Sequence, residues 1–220
     1  MYKYKRVWIE TDPLIMGVRN GVYQVELKEK KSFVSKEERN YYESYFASGI
    51  NAFLLDDFKR IDEKKITCIT YFPLKGALET DFIVAAPHER GIDFLVTEKC
   101  LDVLESFKLP TYNKFKVNIE GFSSNYFAVG FPMVPNRFVD YSDSKFVDLT
   151  TKEHVQIADS EEYKKYFSIG DRKISVKYRL DYDIIAIQPF GLFFSGKLIN
   201  AIKMNRLIGL QVEDTEMVLK

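Results

Sequence analysis

The chain has 220 residues, which is enough for one large domain or two small ones. Lysine plus arginine and aspartate plus glutamate number 32 each, so the formal net charge is zero, whereas a dedicated nucleic-acid binder would carry a basic excess. Hydrophobic residues make up 46% of the chain and aromatic residues 15%, which excludes an intrinsically disordered protein and supplies a sizeable core.

Segments that would target the chain to a membrane or for export are not evident. Residues 1–10 contain basic residues but no apolar run after them, so we expect no secretory signal. The longest apolar segment, residues 184–194, is interrupted by Gln, Pro and Gly and is shorter than the ~20 residues of a membrane helix. Cys68 and Cys100 lie in apolar contexts, which favours free buried thiols over a disulfide or a reactive thiol. We therefore expect a cytoplasmic protein with no membrane partner.

The N-terminal part of the chain predicts strands followed by one helix. Residues 1–34 are typical of edge strands and turns, with a half-buried strand at 22–28. Ser35 and Glu38 form a capping-box pattern that begins a helix, and Gly49 is a suitable stop. Aromatic residues recur along this helix at helical spacing and are expected in the core. Apolar runs follow at 66–72 and 82–86.

The C-terminal part alternates predicted strands and helices without a regular βαβ rhythm. Its predicted strands are 115–119, 126–131, 137–144 running into a turn, 174–180 with strict alternation, 181–188 and 210–212. A helix is predicted over roughly 160–169, begun by Asp159 and Glu162 and stopped by Gly170. Gly209 is expected to cap the last helix.

A degenerate strand–helix unit occurs twice, 98 residues apart. Residues 94–104 and 192–202 each contain an apolar strand, a Thr or Ser placed to cap a helix, a Lys, and an amphipathic helix. The fold class we predict is α+β, with mixed, mostly antiparallel sheets and a few amphipathic helices. The domain organisation is either a single domain over residues 1–220 or two packed lobes, 1–90 and 91–220.

Catalytic and metal-binding patterns are sparse. The two histidines, His88 and His154, do not stand at metal-ligand spacing from a cysteine or from each other, so we predict no metal and no other cofactor. A nucleophilic pair of Cys100 with His88 is conceivable, but Cys100 falls on the apolar face of its predicted helix, which suits packing better. Walker and G-x-G-x-x-G phosphate loops are absent from the sequence.

Charged residues offer weaker alternatives. The carboxylate pairs Asp56/Asp57 and Asp181/Asp183 could serve acid–base chemistry, although such pairs arise by chance in a chain with 32 acidic residues. Three basic residues on one predicted strand face could contact a phosphate backbone or an acidic partner, but a charged edge that prevents strand pairing is the simpler interpretation. They are Lys173, Lys177 and Arg179. No catalytic residue is assigned.

The repeated unit resembles a family of bacterial immunity-type proteins from polymorphic-toxin systems. In that family a segment similar to residues 94–104 is followed by a strand pair, and then by an apolar-Asp-aromatic-x-x-Ser segment that looks like V-D-Y-S-D-S at residues 139–144. A C-terminal pattern of apolar-Ser-x-Lys-Leu and Leu-x-Gly-Leu is similar to residues 194–198 and 207–210. Order and rough spacing agree over about residues 90–213. This chain has Thr97 where the family has Ser, and Cys100 where it has Leu.

The resemblance implies a cytoplasmic antitoxin that binds a cognate protein toxin and blocks it without catalysis. It transfers no functional residues and does not give the oligomeric state. From the chemistry of their side chains, Asp140 and Ser144 are expected to tie a turn rather than contact a partner. Two alternatives stay open: a structural or interaction module that shares only the fold, and an enzyme with an unrecognised carboxylate site.

Overall fold

The computed structural model describes residues 4–19, 21–29 and 31–220. The strands are β1 (Tyr4–Ile9), β2 (Val25–Glu26), β3 (Ile69–Pro73), β4 (Phe82–Ile83), β5 (Ala85–Ala86), β6 (Phe94–Thr97), β7 (Asn113–Ile119), β8 (Tyr126–Gly130), β9 (Met133–Val134), β10 (Lys145–Asp148), β11 (His154–Val155), β12 (Ile169–Val176), β13 (Ile184–Ile187), β14 (Gly191–Ser195) and β15 (Leu210–Leu219). The helices are α1 (Pro13–Met16), α2 (Lys36–Phe46), α3 (Glu98–Glu105), α4 (Ser160–Tyr163) and α5 (Gly196–Met204).

Two mixed sheets, in which most neighbouring strands are antiparallel, make the protein α+β, as the sequence predicts. One sheet has eight strands in the order β11-β10-β12-β15-β1-β14-β13-β9, and the other has seven in the order β4-β6-β8-β7-β3-β2-β5. A central core lies between the sheets and includes the buried faces of α3 and α5. A second core covers the other face of the seven-stranded sheet under α2, and a third covers the other face of the eight-stranded sheet.

The predicted strand–helix repeat is present as β6–α3 and β14–α5. The hydroxyl of Thr97 accepts a hydrogen bond from the Cys100 amide at 3.2 Å, and the hydroxyl of Ser195 accepts one from the Leu198 amide at 3.3 Å. Both residues therefore cap the helices that follow them, as predicted, and satisfy one of the free amides of the first turn.

The partly buried carboxylate of Asp81 holds the first copy of the repeat in place. Thr97 Oγ1 donates to Asp81 Oδ1 at 2.7 Å, and the Ile208 amide donates to Asp81 Oδ2 at 2.9 Å. The Asp81 amide in turn donates to the Ile208 carbonyl at 2.9 Å. Ile208 follows α5, so this carboxylate joins the first copy to the end of the second.

The second copy has the same arrangement with its partners exchanged. Ser195 Oγ donates to Asp183 Oδ1 at 2.6 Å, and the Lys108 amide donates to Asp183 Oδ2 at 3.2 Å. The Asp183 amide donates to the Lys108 carbonyl at 2.7 Å. Lys108 follows α3, so each copy's aspartate binds the segment that leaves the other copy's helix.

The correspondence extends over five strands of each sheet. The series β4-β6-β8-β7-β3 and β13-β14-β1-β15-β12 have the same pairing directions, three antiparallel steps and then one parallel step. Tyr126 on β8 donates to the Thr80 carbonyl at 2.9 Å, and Tyr4 on β1 donates to the Tyr182 carbonyl at 2.8 Å. β1 therefore takes in the second half the place that β8 takes in the first, which makes the second half a circularly permuted copy of the first.

Strand pairing crosses residue 90, the boundary between the two predicted lobes. β4 pairs with β6, and β3 pairs with β7, so strands from both sides of residue 90 share one sheet. Along the chain, the boundary between the two repeated halves lies near β9. β1 comes from the start of the chain but pairs with strands of the second half.

The N-terminal strands differ from the prediction. β1 lies inside its sheet between β15 and β14, because its partners are supplied by residues almost 200 positions later. The strand predicted over 22–28 is limited to Val25–Glu26, and residues 1–3, 20 and 30 of the N-terminal prediction lie outside the described residues. The helix begun by Ser35 is correct at its start, where the Glu38 amide donates to Ser35 Oγ, and it ends at Phe46, before Gly49.

Several C-terminal predictions are wrong for physical reasons. The strand predicted over 137–144 is a pair of 3-10 turns, because Asp140 and Ser144 bond to each other locally. The helix predicted over 160–169 stops at Tyr163, since residues from Ile169 onward pair with β10. The strand predicted over 174–180 ends at Val176, and its last three residues are all buried instead of alternating.

The end of the chain also differs. α5 ends at Met204, so Gly209 does not cap it. Gly209 has φ +101° and lies where an added Cβ would be 2.4 Å from the Phe82 carbonyl, so the glycine permits a close approach between the start of β15 and β4. The strand predicted over 210–212 continues to Leu219.

Candidate protein-binding site

The segment V-D-Y-S-D-S forms a closed turn. Ser144 Oγ donates to the Asp140 carbonyl at 2.7 Å and accepts from the Ser175 amide at 3.0 Å. The Asp140 carboxylate accepts from Ser142 Oγ at 2.8 Å. Asp140 and Ser144 thus tie a turn onto β12, as their side-chain chemistry predicts.

Basic residues surround the two carboxylates of this turn. Lys220 Nζ lies 2.7 Å from Asp140, and Lys173 Nζ lies 3.0 Å from Asp143. The hydrogen bond from Lys220, with a further bond from Ser142, lowers the pKa of Asp140 to about 2. The hydrogen bonds from Ser175 and Lys173 lower the pKa of Asp143. These carboxylates are structural anions, and neither is poised to take up a proton near neutral pH.

The three predicted basic residues do not share one strand face. Lys173 lies on β12, while Lys177 and Arg179 follow its last residue, Val176. Lys173 and Lys177 pair with Asp143 and Asp140, at 3.0 Å and 3.5 Å. The structure therefore uses two of them in ion pairs within the chain.

The cysteine and histidine candidates lie in different environments: Cys100 is buried in the core, whereas both histidines lie at the surface. Cys100 is fully buried in the central core, and burial raises the pKa of its thiol, which disfavours the nucleophilic thiolate. Cys68 is partly buried, and both cysteines are free. His88 lies at the surface, where the surrounding protein lowers its pKa by desolvation, and His154 is exposed on β11.

The paired carboxylates also have separate roles. Asp183 belongs to the helix tie, whereas Asp181 is exposed and forms an ion pair with Lys108. Asp56 pairs with Arg137 at the surface, and Asp57 is exposed. Neither pair presents two carboxylates to one cleft.

One cleft, of about 420 Å³, opens at an end of the central core. Its lining is mainly apolar and includes Trp8, which is half exposed, and Tyr23. His88 and Asp93 supply polar groups to the same cleft, and Asp93 Oδ2 accepts from the Phe131 amide at 2.7 Å. Burial raises the pKa of Asp93 to about 7, against the opposing effect of that hydrogen bond. We call this the tryptophan cleft.

A second cleft, of about 570 Å³, lies between β12 and β15. The two parallel strands pair only where residues 173–176 of β12 lie beside residues 216–219 of β15. Their preceding residues, 169–172 and 212–215, line opposite sides of the cleft. We call this the β12–β15 cleft, and its size falls in the range of about 300–1,000 Å³ that is usual for ligand clefts.

Arg6 of β1 connects the two walls of the β12–β15 cleft. Its guanidinium donates to Asp171 on β12 at 2.7 Å and to Glu213 on β15 at 2.5 Å. Thr215 Oγ1 donates to the Asp171 carbonyl at 2.6 Å. Burial raises the pKa of Asp171, and the charge of Arg6 opposes that rise. Sequence reasoning missed this cluster, because its members are far apart in the chain and match no motif.

Two negative findings apply to the part of the chain that the structure describes. There, no three His, Cys, Asp or Glu side chains converge as metal ligands would. Within the same ranges, no helix combines the length and apolar character needed to cross a membrane. No family model matches the chain, and no curated protein matches it.

Proposed function

We propose that this chain is an immunity-type protein that binds a cognate protein toxin and blocks it without catalysis. Its sequence motifs resemble that family over about residues 90–213, and their residues build the folded scaffold: Thr97 and Ser195 cap helices, and Asp140 and Ser144 tie a turn. The side chains of these motifs therefore have structural roles, which leaves the open surfaces for a partner.

The observation that carries the proposal is the β12–β15 cleft. The cleft separates two strands that each pair with a neighbour on the far side but not with each other, and exposed apolar side chains lie beside it. An open strand edge of this kind can bind protein backbone. The net charge of zero means that long-range attraction contributes little to such an encounter, so the affinity comes from close contacts.

A survival assay tests this function. The toxin domain encoded beside the gene of this chain is expressed in a sensitive bacterium, with and without this chain, and the two proteins are then co-purified. Rescue together with a stable stoichiometric complex is the expected result. Undiminished toxicity, with no complex at micromolar concentrations, would refute the antitoxin role.

The tryptophan cleft favours a second function, acid–base catalysis on a small substrate. His88 and Asp93 both line it, and an apolar cleft with a few convergent polar groups is the usual form of a small-molecule site. The pKa of Asp93, about 7, suits proton transfer near neutral pH. Hydrolysis of chromogenic esters and glycosides, measured for the wild type and for Asp93→Asn, distinguishes this function, because only a true site loses activity in the variant.

A further inference from the structure

The two strands that form the β12–β15 cleft separate before their pairing is complete. β15 begins at Leu210, yet its pairing with β12 begins only at Glu216. Along 210–212 it pairs with β1 on its other side. One edge of β15 is therefore held in the sheet, while the other faces the cleft.

The backbone of Val212 faces this cleft. The Glu10 amide donates to the Gly209 carbonyl, and Val212 lies opposite Val7 on β1. In an antiparallel pair, successive residues direct their amides alternately toward and away from the partner strand. The backbone amide and carbonyl of Gln211 therefore point toward β1, and those of Val212 point away from β1, into the cleft.

The first half of the molecule shows what occupies the corresponding position. Asn113 on β7 corresponds to Gln211 on β15, since Asn113 pairs with Gly130 as Gln211 pairs with Trp8. Asn113 Oδ1 accepts from the Ile61 amide at 2.9 Å and from Tyr45 Oη at 2.9 Å. Tyr45 Oη also lies 2.8 Å from the Lys59 carbonyl oxygen, and Ile61 is 1% exposed. In that half, an irregular segment of the chain itself lies beside the strand.

In the second half the corresponding strand, β15, borders the open β12–β15 cleft. Arg6 in the second half corresponds to the buried Ala128 in the first half. Arg6 pairs with Phe193, and Ala128 pairs with Leu95, the counterpart of Phe193 in the repeat. Leu149 and Val212 at the rim are 47% and 41% exposed. The position that is filled in one half is therefore available in the other.

The charges of the lining favour a basic partner. Three carboxylates and two guanidinium groups line the cleft, which leaves an excess of one negative charge. Arg6 is already bonded to Asp171 and Glu213, whereas Asp214 and Arg172 are exposed. A lysine or arginine on an incoming segment would balance this excess.

We propose that an extended segment of the toxin, with apolar side chains and at least one basic residue, binds in the β12–β15 cleft and pairs with the free edge of β15 at Val212. The inference rests on the proposed function and adds the surface and the binding mode. The backbone supplies main-chain hydrogen bonds, and Leu149 and Val212 contact alternate side chains of the segment.

Proline at position 212 tests the backbone contact. Val212→Pro removes the amide that faces the cleft, and Pro is tolerated where a strand amide does not bond within its sheet. The matched control is Val212→Ala, which shortens the side chain but keeps the amide. We expect Val212→Pro to weaken toxin binding about tenfold or more, and Val212→Ala to weaken it much less, as measured by calorimetry. Equal effects of the two variants would contradict strand pairing.

A side-chain variant keeps the test decisive if Val212→Pro does not fold. Leu149→Glu places a charge at the rim and adds to the negative excess, while Met204→Glu makes the same kind of change at another exposed apolar residue, on α5. We expect Leu149→Glu to lose binding and Met204→Glu to retain it. Binding unaffected by Leu149→Glu would overturn the inference.

Hydrogen exchange of the complex separates this inference from the proposed function. Protection of residues 210–215 and 169–172 on toxin binding supports the cleft. A stable complex that protects only other surfaces refutes the cleft and leaves the antitoxin function standing, whereas absence of any complex refutes both. Self-association of the free protein that Val212→Pro abolishes would assign the cleft to a second copy of this chain and overturn the toxin as its occupant.

Discussion

Asp181 and Asp183 show how two carboxylates that look equivalent in sequence acquire different roles. Asp183 is 5% exposed and accepts hydrogen bonds from Ser195 and the Lys108 amide. Burial alone would raise the pKa of Asp183, but these hydrogen bonds, with one from Lys197, outweigh burial and lower it. Asp181 lies at the surface with one lysine partner. Sequence spacing does not distinguish the two, because the partners of Asp183 come from a strand and a loop distant in the chain.

Asp183→Ala should destabilise the protein by about 2–4 kcal/mol, because it leaves the Ser195 hydroxyl and the Lys108 amide without an acceptor. Asp181→Ala, two residues away, removes only an exposed ion pair and should change stability by about 0.5 kcal/mol or less. Urea unfolding of the two variants measures the difference. Similar effects for both would show that the tie contributes little.

Asp93 should make stability depend on pH in the neutral range. Its pKa is raised by burial to about 7, above the unfolded value of about 3.9, so folding is favoured while the carboxyl is protonated. The wild type should lose stability as the pH rises from about 4 to 7, since only the unfolded state ionises readily there.

Asp93→Asn removes this titration and keeps an oxygen for the Phe131 amide. Relative to the wild type, the variant should gain at least about 1.4 kcal/mol between pH 4.5 and pH 8, the equivalent of one pKa unit. Urea unfolding at the two pH values measures the gain. A difference that stays constant with pH would mean that Asp93 does not titrate abnormally.

At the scale of single elements, the sequence predicts those features that depend on neighbouring residues. The caps at Ser35, Thr97 and Ser195 and the apolar faces of α3 and α5 follow from short-range chemistry and were predicted. The ends of β2, β12 and α4 were not, because pairing with distant strands decides them. A further signal was present: residues 81–87 read D-F-I-V-A-A-P and residues 183–189 read D-I-I-A-I-Q-P, which extends the repeat to both tying aspartates.

Gly209 and Gly121 provide a comparison between two glycines with positive φ. Gly209→Ala would place a Cβ 2.4 Å from the Phe82 carbonyl, so the start of β15 would have to move away from β4. We expect a loss of more than about 3 kcal/mol. Gly121→Ala meets no atom within 4 Å and should cost about 1–2 kcal/mol from its backbone conformation alone. Urea unfolding distinguishes the two, and equal losses would contradict the close approach.

At the scale of the whole molecule, the correspondence between the halves predicts where the chain can be cut. Tyr4 on β1 lies opposite Met217 on β15, as Tyr126 on β8 lies opposite Val117 on β7. A permutant that starts at Phe122, joins Lys220 to Met1 through a short Gly-Ser linker and ends at Gly121 exchanges the connectivity of the two halves. We expect it to fold cooperatively, with the circular dichroism spectrum of the parent.

The control permutant is opened between Thr97 and Glu98, at the junction of β6 and α3. That cut separates the capping hydroxyl from the helix it caps and should prevent folding. If the permutant opened at Gly121 also fails to fold, the two halves are not interchangeable in the way their pairing indicates.

The proposed binding surface could not be predicted from the sequence. The β12–β15 cleft combines residues from β1, β10, β12 and β15, and only the three-dimensional pairing of these strands brings Arg6, Asp171 and Glu213 together. The α+β class and the duplicated unit were predictable because they depend on patterns within about 15 residues.

The interior position of β1 also governs the order of events during synthesis. β1 has β14 and β15 as its neighbours, and a ribosome adding about 5–20 residues per second completes those strands roughly 10 to 40 s after it has synthesised β1. During that interval both edges of β1 lack their native partner strands, and the eight-stranded sheet cannot be completed. Pairing of β1 therefore waits until β14 and β15 have been synthesised, whereas the strands β3 to β8 of the first half can pair earlier.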